Sequence, residues 1–486
     1  MSTVEQRAGA QIGKKAFVQS LVILFVLMMV AGALTMIVPA GSYARTVQGE
    51  REIIDPQSFQ FVPRPDYAVW RWFTAPVEVL WGPDGFTIIV IIVFILMVGS
   101  SFAVLDRSGI LKATIARIVE KFGGRKYLLL LIISLLFMLM GAFFGIFEEV
   151  VPLVPVMMAL AYFLGWDSLV GLGMSILATN MGFSAAIMNP FTIGVAQEIA
   201  GLPLFSGAWL RILIFIVIYG IFAVFLVRYA RSVERDPRAS PVFEEDRDER
   251  AKYEHLQLDS LSEENPALGR AIGWFLVFFV LIVVVLVGGP LLPGISDLAL
   301  PIVGLLFLIG GVGAGLIAGI GGKTVLKAVG EGMSGIAPGI PLILMAASIK
   351  HIVAQGGIMD TILRSASFPF SQASPLLAAL MVYVLALLIE FFIASGSAKA
   401  FLLMPILLPL ADLVGVTRQV AVTAYCFGDG FSNLAYPTNP VLLICLGLTV
   451  VSYPKWLKWS LKLWLWVILV TVAFLGFAVA IGFGPF

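Results

Sequence analysis

Two adjacent carboxylates, Glu148 and Glu149, stand in an apolar stretch that runs to Leu164, and Glu390 and Lys399 flank Ser395-Gly396-Ser397 in another. Asp429 lies in a third apolar run. An ionised side chain is so unfavourable in hydrocarbon that such residues face a water-filled cavity or a partner of opposite charge, which makes them functional candidates by default. For Glu390 and Lys399 the plain alternative is a structural ion pair, because buried charges must be matched. Neutral oxygens accompany these charges: Asn180, Ser184 and Asn189 in one segment, Ser432, Asn433, Thr438 and Asn439 in another. Hard cations favour oxygen-rich sites. Sodium at Ser184, Asn189, Ser432 and Asn439, or a proton, is therefore expected as coupling ion, with no other cofactor. Lys350 and His351 sit near a helix end, where snorkelling to the surface accounts for both.

The neutral oxygens belong to two segments of one design. Gly182-Phe183-Ser184 followed by Asn189-Pro190 answers to Gly430-Phe431-Ser432 followed by Asn439-Pro440. The correspondence extends backwards: Phe143-Phe144 to Phe391-Phe392, Pro155 and Gly165 to Pro405 and Gly415, and Gly109-Ile110 to Gly357-Ile358. All pairs run in order at a nearly constant offset. Proline removes a backbone donor, and the residue before it is pushed out of the α region. Segments 181–190 and 429–440 are therefore predicted to be unwound inside the membrane. Unwound backbone survives there only against protein or a water-filled cavity, and matched breaks in two repeats mark a transporter's binding site. We read 146–166 and 395–413 as re-entrant hairpins whose tips meet the breaks. One site then combines Glu148, Glu149, Asn180, Ser184 and Asn189 with Ser395, Ser397, Lys399, Asp429, Ser432, Asn433, Thr438 and Asn439.

The elements that must position these groups are membrane helices. The chain of 486 residues is 60% hydrophobic and 13% charged, against about 25% charged for a soluble domain. The expected fold is an all-α polytopic membrane protein of two inverted repeats, each with a re-entrant hairpin and a broken transmembrane helix, and about 11 spanning segments. These lie at 17–39, 86–105, 127–145, 168–199, 208–229, 268–290, 297–321, 336–354, 374–394, 416–449 and 457–483. Arg7, Lys14 and Lys15 precede the first run, which is too long for a signal peptide and reads as a retained helix. Residues 1–16 form a cytoplasmic tail, 17–230 the first repeat, 231–267 a solvated polar linker and 268–486 the second repeat. Trp70, Trp72 and Trp81 in the polar segment 40–85 suit a membrane interface. Residues 106–126 read as an amphipathic helix on the cytoplasmic surface, with Leu111, Ile115, Ile118, Val119 and Phe122 on its apolar face. Gly311, Gly315 and Gly319 suggest close helix packing rather than a phosphate loop. Counting crossings puts 231–267 on the side opposite 106–126, which is at odds with inversion of the halves.

A net charge of +1 and the lack of a basic face leave no footprint for nucleic acid. Cys426 and Cys445 form no CxxC or Cys/His pattern. With His255 and His351 the only histidines, and no complete GxGD motif at Cys426-Phe427-Gly428-Asp429, an intramembrane enzyme is poorly supplied.

The stretches Val38-Pro39-Ala40-Gly41-Ser42-Tyr43, Glu148-Glu149, Gly182 to Thr192, Gly194-Val195-Ala196-Gln197, Gly201-Leu202-Pro203, Gly430-Phe431-Ser432-Asn433 and Pro437-Thr438-Asn439-Pro440 resemble the YfcC-like family of the ion transporter superfamily, related to dicarboxylate carriers and AbgT-type transporters. The resemblance covers nearly the whole chain. It implies inverted repeats, paired hairpins and elevator-like motion of a transport domain against a scaffold. The function expected is ion-coupled secondary transport or exchange of a small organic solute across the inner membrane. Two cargoes compete. An amino acid, basic ones included, would place its amino group at Glu148 and Glu149 and its carboxylate at backbone amides or Lys399. A C4-dicarboxylate would be held by Lys399 and helix N-termini, with sodium or a proton at Glu148 or Glu149. The expected partners are the solute, the lipid bilayer and a second copy of the chain.

Overall fold

The computed structural model of the chain describes residues 14–48, 51–55, 57–111, 113–114, 117, 123–254, 266–288, 298–367, 370 and 373–484. Most of the expected tail 1–16, residues Ile115, Ile118, Val119 and Phe122 of the expected amphipathic helix, and 255–265 of the linker lie outside them. Among the described residues nine helices are long and apolar enough to cross a membrane, and two more, Leu21–Ile37 and Pro375–Glu390, are apolar but shorter. The fold is almost wholly helical. The exception is the polar segment after the first helix, Lys14–Ile37. There Gly41–Ser42 pairs with Gln60–Phe61 and Arg45–Gln48 with Arg51–Ile54, both antiparallel. Asp360 fastens this small cap by accepting the Tyr43 amide at 2.9 Å and pairing with Arg45 at 2.9 Å.

Small residues bring helices close where the sequence suggested it. A methyl group at Gly311 would lie 2.1 Å from Ser101 Oγ, and one at Gly315 2.4 Å from Val104. The helix Ala299–Ile317 therefore seats directly on Gly85–Arg107, and the Ser101 hydroxyl donates to the Phe307 carbonyl at 2.7 Å. Lys350 and His351 do not simply snorkel: Lys350 pairs with Asp84 at 2.6 Å and His351 Nε2 lies 3.5 Å from Glu78.

The hairpins differ from expectation in their arms. Residues 146–166 do not dip and return by themselves. Lys126–Phe144, long and apolar enough to cross a membrane as expected for 127–145, leads into this stretch; Gly145 turns the chain in the left-handed region (φ 66°), and Glu148–Leu153 and Val154–Phe163 run back. Both open ends lie together, since Tyr127 packs on Trp166 and Lys126 pairs with Glu234 at 2.6 Å. The second hairpin is likewise Pro375–Glu390 with Gly396–Leu413. Its open ends sit at the other end of the bundle, where Leu376 approaches Gly476 and Thr417 donates to the Phe483 carbonyl at 2.5 Å. The linker 231–267 starts on the same side as 106–126 ends, because Lys126 and Glu234 are in contact.

The breaks are shorter than 181–190 and 429–440. The first helix runs Ser168–Leu172, through a π turn at Gly173–Leu177, to Ala178–Ala185, and resumes at Pro190. The second runs Arg418–Ser432 and resumes at Pro440–Gly447. Both Gly-Phe-Ser motifs are thus helical. Their glycines serve close approach: a methyl at Gly182 would lie 1.7 Å from the Met138 carbonyl oxygen, and one at Gly430 2.5 Å from Ser184 Cα. The two broken helices touch at that second contact.

The linker is not simply solvated. Its helix Phe243–Glu254 docks on the exit of the first hairpin. Asp246, 1% exposed, accepts from the Tyr162 hydroxyl at 2.8 Å and from the Ser168 amide and hydroxyl at 2.8 and 2.9 Å. Arg250 donates to the Gly165 carbonyl at 2.6 Å.

Replacing Gly182 by Ala is expected to lower the melting temperature in detergent, at an overpacking cost of about 1–3 kcal/mol. Gly273→Ala, with nothing within 4 Å, is expected to be neutral or mildly stabilising. Burial, reinforced by Asp167, pushes the Asp246 carboxyl from 3.8 up to about 7. The folded state then keeps a proton that the unfolded chain loses near pH 4, so this group's contribution falls as pH rises from about 4 to about 7. The melting temperature of Asp246→Asn relative to the native chain should accordingly rise between pH 5 and pH 8; a constant difference would refute the assignment.

Candidate functional site

Both hairpin tips and both broken helices converge on a cavity of about 480 Å³. Gly145, Phe147, Glu148 and Glu149 come from the first tip and Ala394, Ser395, Gly396 and Ser397 from the second. Phe183 and Phe191 flank the first break, and Asn433 opens the second. Phe86, Thr87, Val90 and Ile91 of Gly85–Arg107 close one side. Of the residues selected from sequence, Glu148, Glu149, Ser395, Ser397 and Asn433 therefore line one space. Glu148 is exposed to it; Glu149 is half-buried, and its Oε2 accepts the Phe147 amide at 3.1 Å. None of the lining residues is basic.

Lys399 does not reach this cavity. It is fully buried, bonded to Glu390 and 2.7 Å from Asp429 Oδ1. The triad lies directly behind the second tip, since a methyl at Gly396 would be 3.0 Å from Asp429 Oδ2 and 2.7 Å from Thr192 Cγ2. The Tyr425 hydroxyl donates to the Gly396 carbonyl, tying the tip to the same helix as Asp429. The expectation that Lys399 meets a substrate carboxylate is thereby corrected for this conformation: its charge is already matched twice.

The remaining selected residues surround the breaks, buried away from the cavity wall. Asn189 and Asn439 cap the resuming half-helices. Asn189 Oδ1 accepts from the Phe191 amide at 2.9 Å, and Asn439 Oδ1 accepts from Val441 and Leu442 at 3.0 and 3.3 Å. Asn or Asp before Pro at a helix start does this because Oδ1 satisfies amides that the helix cannot. Ser184 and Ser432 donate to the carbonyls one turn back, of Asn180 at 2.5 Å and Gly428 at 2.8 Å. Their hydroxyl lone pairs stay open, whereas both asparagine oxygens are engaged, so a sodium shell from these four side chains would compete with the caps. Among the described residues, both amide atoms of Asn180, Oδ1 of Asn433 and the hydroxyl of Thr438 have no hydrogen-bond partner. Buried polar atoms are normally bonded, so these atoms are free to bond a water, ion or solute.

Arg211 was not selected from sequence and holds the first break together. Fully buried, it donates through Nε and Nη2 to the Ile187 carbonyl at 3.2 and 3.1 Å, and through Nη1 and Nη2 to Ser206 and Phe205 carbonyls at 2.9 and 3.0 Å. Gln419 joins this cradle by donating to the Ser206 carbonyl at 2.5 Å. An arginine inside the apolar run of an expected span, 208–229, is the available signal.

Removing Lys399 alone, as Lys399→Met, strands two buried carboxylates and should destabilise the protein by about 3–5 kcal/mol. Adding Glu390→Gln and Asp429→Asn should restore most of the loss, read as melting temperature and monodispersity in detergent. A single Lys399→Met variant as stable as the native chain would contradict this matching.

The profile of the C4-dicarboxylate anaerobic carrier family, DcuC, matches residues 17–480. A protein of Escherichia coli (strain K12) described as "Putative basic amino acid antiporter YfcC" is 32% identical over 485 residues, spanning 91% of this chain and 92% of its own length. An "Uncharacterized protein" of Haemophilus influenzae (strain ATCC 51907 / DSM 11121 / KW20 / Rd) is 27% identical over 376 residues, spanning 77% and 72%. Among solved structures, the YdaH transporter of Alcanivorax borkumensis aligns over 96% of this chain and 99% of its own at 20% identity and a TM-score of 0.40. Neisseria gonorrhoeae MtrF, described among antimetabolite efflux pumps, aligns over 94% of each chain at 17% identity and a TM-score of 0.41. The chain is a multi-pass membrane transporter that belongs to the C4-dicarboxylate anaerobic carrier family.

Proposed function

We propose that the protein is an ion-coupled secondary transporter or exchanger that moves a small cationic amino acid across the cytoplasmic membrane. The observation that carries this reading is the cavity's charge: Glu148 and Glu149 in its wall with no basic residue among its lining. A solute with more than one positive group matches such a wall, whereas a free dicarboxylate would meet repulsion. The solute's single carboxylate has a place at the start of Gly396–Leu413, whose first residues line the cavity and whose N-terminus favours negative charge. The E. coli relative's description as a basic amino acid antiporter agrees with this.

The two hairpins are read as re-entrant from opposite faces and the halves as inverted repeats, the tips and breaks enclosing the site as in other secondary transporters. Arg125, Lys126, Arg231, Arg235, Arg238 and Lys455 gather at the end where the first hairpin opens. By the positive-inside rule that end is cytoplasmic. Behind the second tip the Glu390–Lys399–Asp429 triad holds two carboxyl groups against one ammonium. The surplus carboxyl is suited to take up a coupling proton next to the substrate. A sodium- or proton-coupled C4-dicarboxylate carrier is the second reading, favoured by the same helix N-terminus and by the family's description; it requires cations to neutralise Glu148 and Glu149.

Counterflow in proteoliposomes with arginine, lysine, neutral amino acids and C4-dicarboxylates, with and without sodium or a pH gradient, separates the two. Exchange of basic amino acids is expected, and Glu148→Gln should reduce it at least tenfold. Dicarboxylate exchange that needs sodium, or full activity of Glu148→Gln with unchanged ion dependence, would overturn the reading.

A further inference from the structure

Away from the site, a groove of about 1160 Å³ runs between the helices Ala208–Arg235 and Tyr453–Ala480. Arg228 lies on one wall and Lys455, Lys458 and Lys462 on the other. Spacings of three and four put the lysines on one helix face, where like charges repel. Lys455 is matched by Glu245 at 2.6 Å. Among the described residues, Arg228, Lys458 and Lys462 have no carboxylate within 4.0 Å, and all three are exposed. The groove continues past them as an apolar wall of Ile221, Val224, Leu463 and Trp466, with Val224 50% and Trp466 59% exposed. Ala239 and Pro241 of the linker roof the polar end. They are held by the Ser240 hydroxyl, which donates to Asp167 at 2.7 Å, and by the Lys455–Glu245 pair.

We propose that this groove binds one anionic phospholipid of the adjacent leaflet, its phosphate among Arg228, Lys458 and Lys462 and its acyl chains along Val224, Leu463 and Trp466. Depth supports the assignment. At 1.5 Å rise per residue, Lys458 lies about 8 Å along the helix from Tyr453, near the inner edge of an interfacial layer about 5–8 Å thick, and Lys462 about 14 Å. The deeper lysine reaches that layer by extending its aliphatic stem towards the surface. Basic pockets between membrane helices hold acidic head groups for this reason. A free phosphate ion would use the cations but has no use for the apolar wall that continues from them; a lipid uses both. The groove also touches the transport machinery. Its wall residue Trp459 packs on Tyr229, whose hydroxyl donates to Asp167 at the exit of the first hairpin. The inference stands independently of the substrate assigned to the central cavity.

Native mass spectrometry and thermal melting of the full chain in detergent test it, with added phosphatidylglycerol, phosphatidylcholine or inorganic phosphate alone. Phosphatidylglycerol should be retained and raise the melting temperature, while phosphatidylcholine and inorganic phosphate should do neither. Lys458→Gln/Lys462→Gln should bind phosphatidylglycerol on the order of thirtyfold more weakly. Arg235→Gln/Arg238→Gln, which removes the same charge outside the groove, should bind as the native chain does. Equal retention of the two lipids by the native protein overturns the proposal, as does stabilisation by phosphate alone matching that by phosphatidylglycerol. Undiminished binding in the lysine double variant, given a lipid-free melting temperature like the native one, also overturns it.

Discussion

Backbone amides and carbonyls released inside a bilayer must find partners, because each one left bare there costs several kcal/mol. The architecture follows from where those partners come from. At the first break the Ile187 carbonyl takes two hydrogen bonds from Arg211, the Met188 amide donates to Ala142 at 3.0 Å, and Asn189 caps the restart. At the second, the Leu434 carbonyl accepts from Trp456 Nε1 at 2.8 Å, Ala435 from the Tyr453 hydroxyl at 2.7 Å, and Asn439 caps. Each break is thus satisfied by a neighbouring helix as well as by itself. The first hairpin cannot shift far from its break without stripping the Met188 amide. Gly145 completes the fit, since any side chain there would strike Asn189 Oδ1 at 2.3 Å. Ala186, held at φ 47° where side chains are disfavoured, shows that this network over-determines the backbone.

How much of this was legible in the sequence depends on how local the cause is. Proline, the asparagine before it and a charge in an apolar run act within a few residues, so the breaks are legible in the sequence, and Glu148, Glu149, Lys399 and Asp429 stand out there as charges that need a cavity or a partner. The extent of unwinding was overstated because Gly182 and Gly430 look like helix breakers. Their absent side chains instead admit Met138 and Ser184, which only packing reveals. The turn that leads into 146–166 was missed for a related reason. Lys126–Phe144 has the length and hydropathy of a crossing, and nothing in its composition says that the chain turns back at Gly145. Arg211 was visible by the same rule that selected Glu148, a charge where lipid was expected, and was passed over. The linker's charges read as solvated because the partners of Asp246, at Tyr162 and Ser168, lie far back in the chain.

The two halves share a backbone plan but not its charges. Aligned on Phe-Phe and Gly-Phe-Ser, Glu390 corresponds to Ala142 and Asp429 to Met181, so the first half has no counterpart of either acidic member of the triad. Conversely, Glu148 and Glu149 face the cavity from the first tip, while the second tip presents Ser395 and Ser397. Carboxylates kept in both places in both halves would face like-charge repulsion across a cavity only about 480 Å³ in volume. Dividing the charges avoids this: the first tip carries the carboxylates that line the cavity, and the second carries a helix N-terminus backed by the Glu390–Lys399–Asp429 triad. Coupling then needs no long path. Under the proposed function, protonating or deprotonating a triad that lies behind Gly396 would change the field at the tip proposed to contact the solute. That single adjacency is what the proposed coupling of ion gradient to cargo rests on.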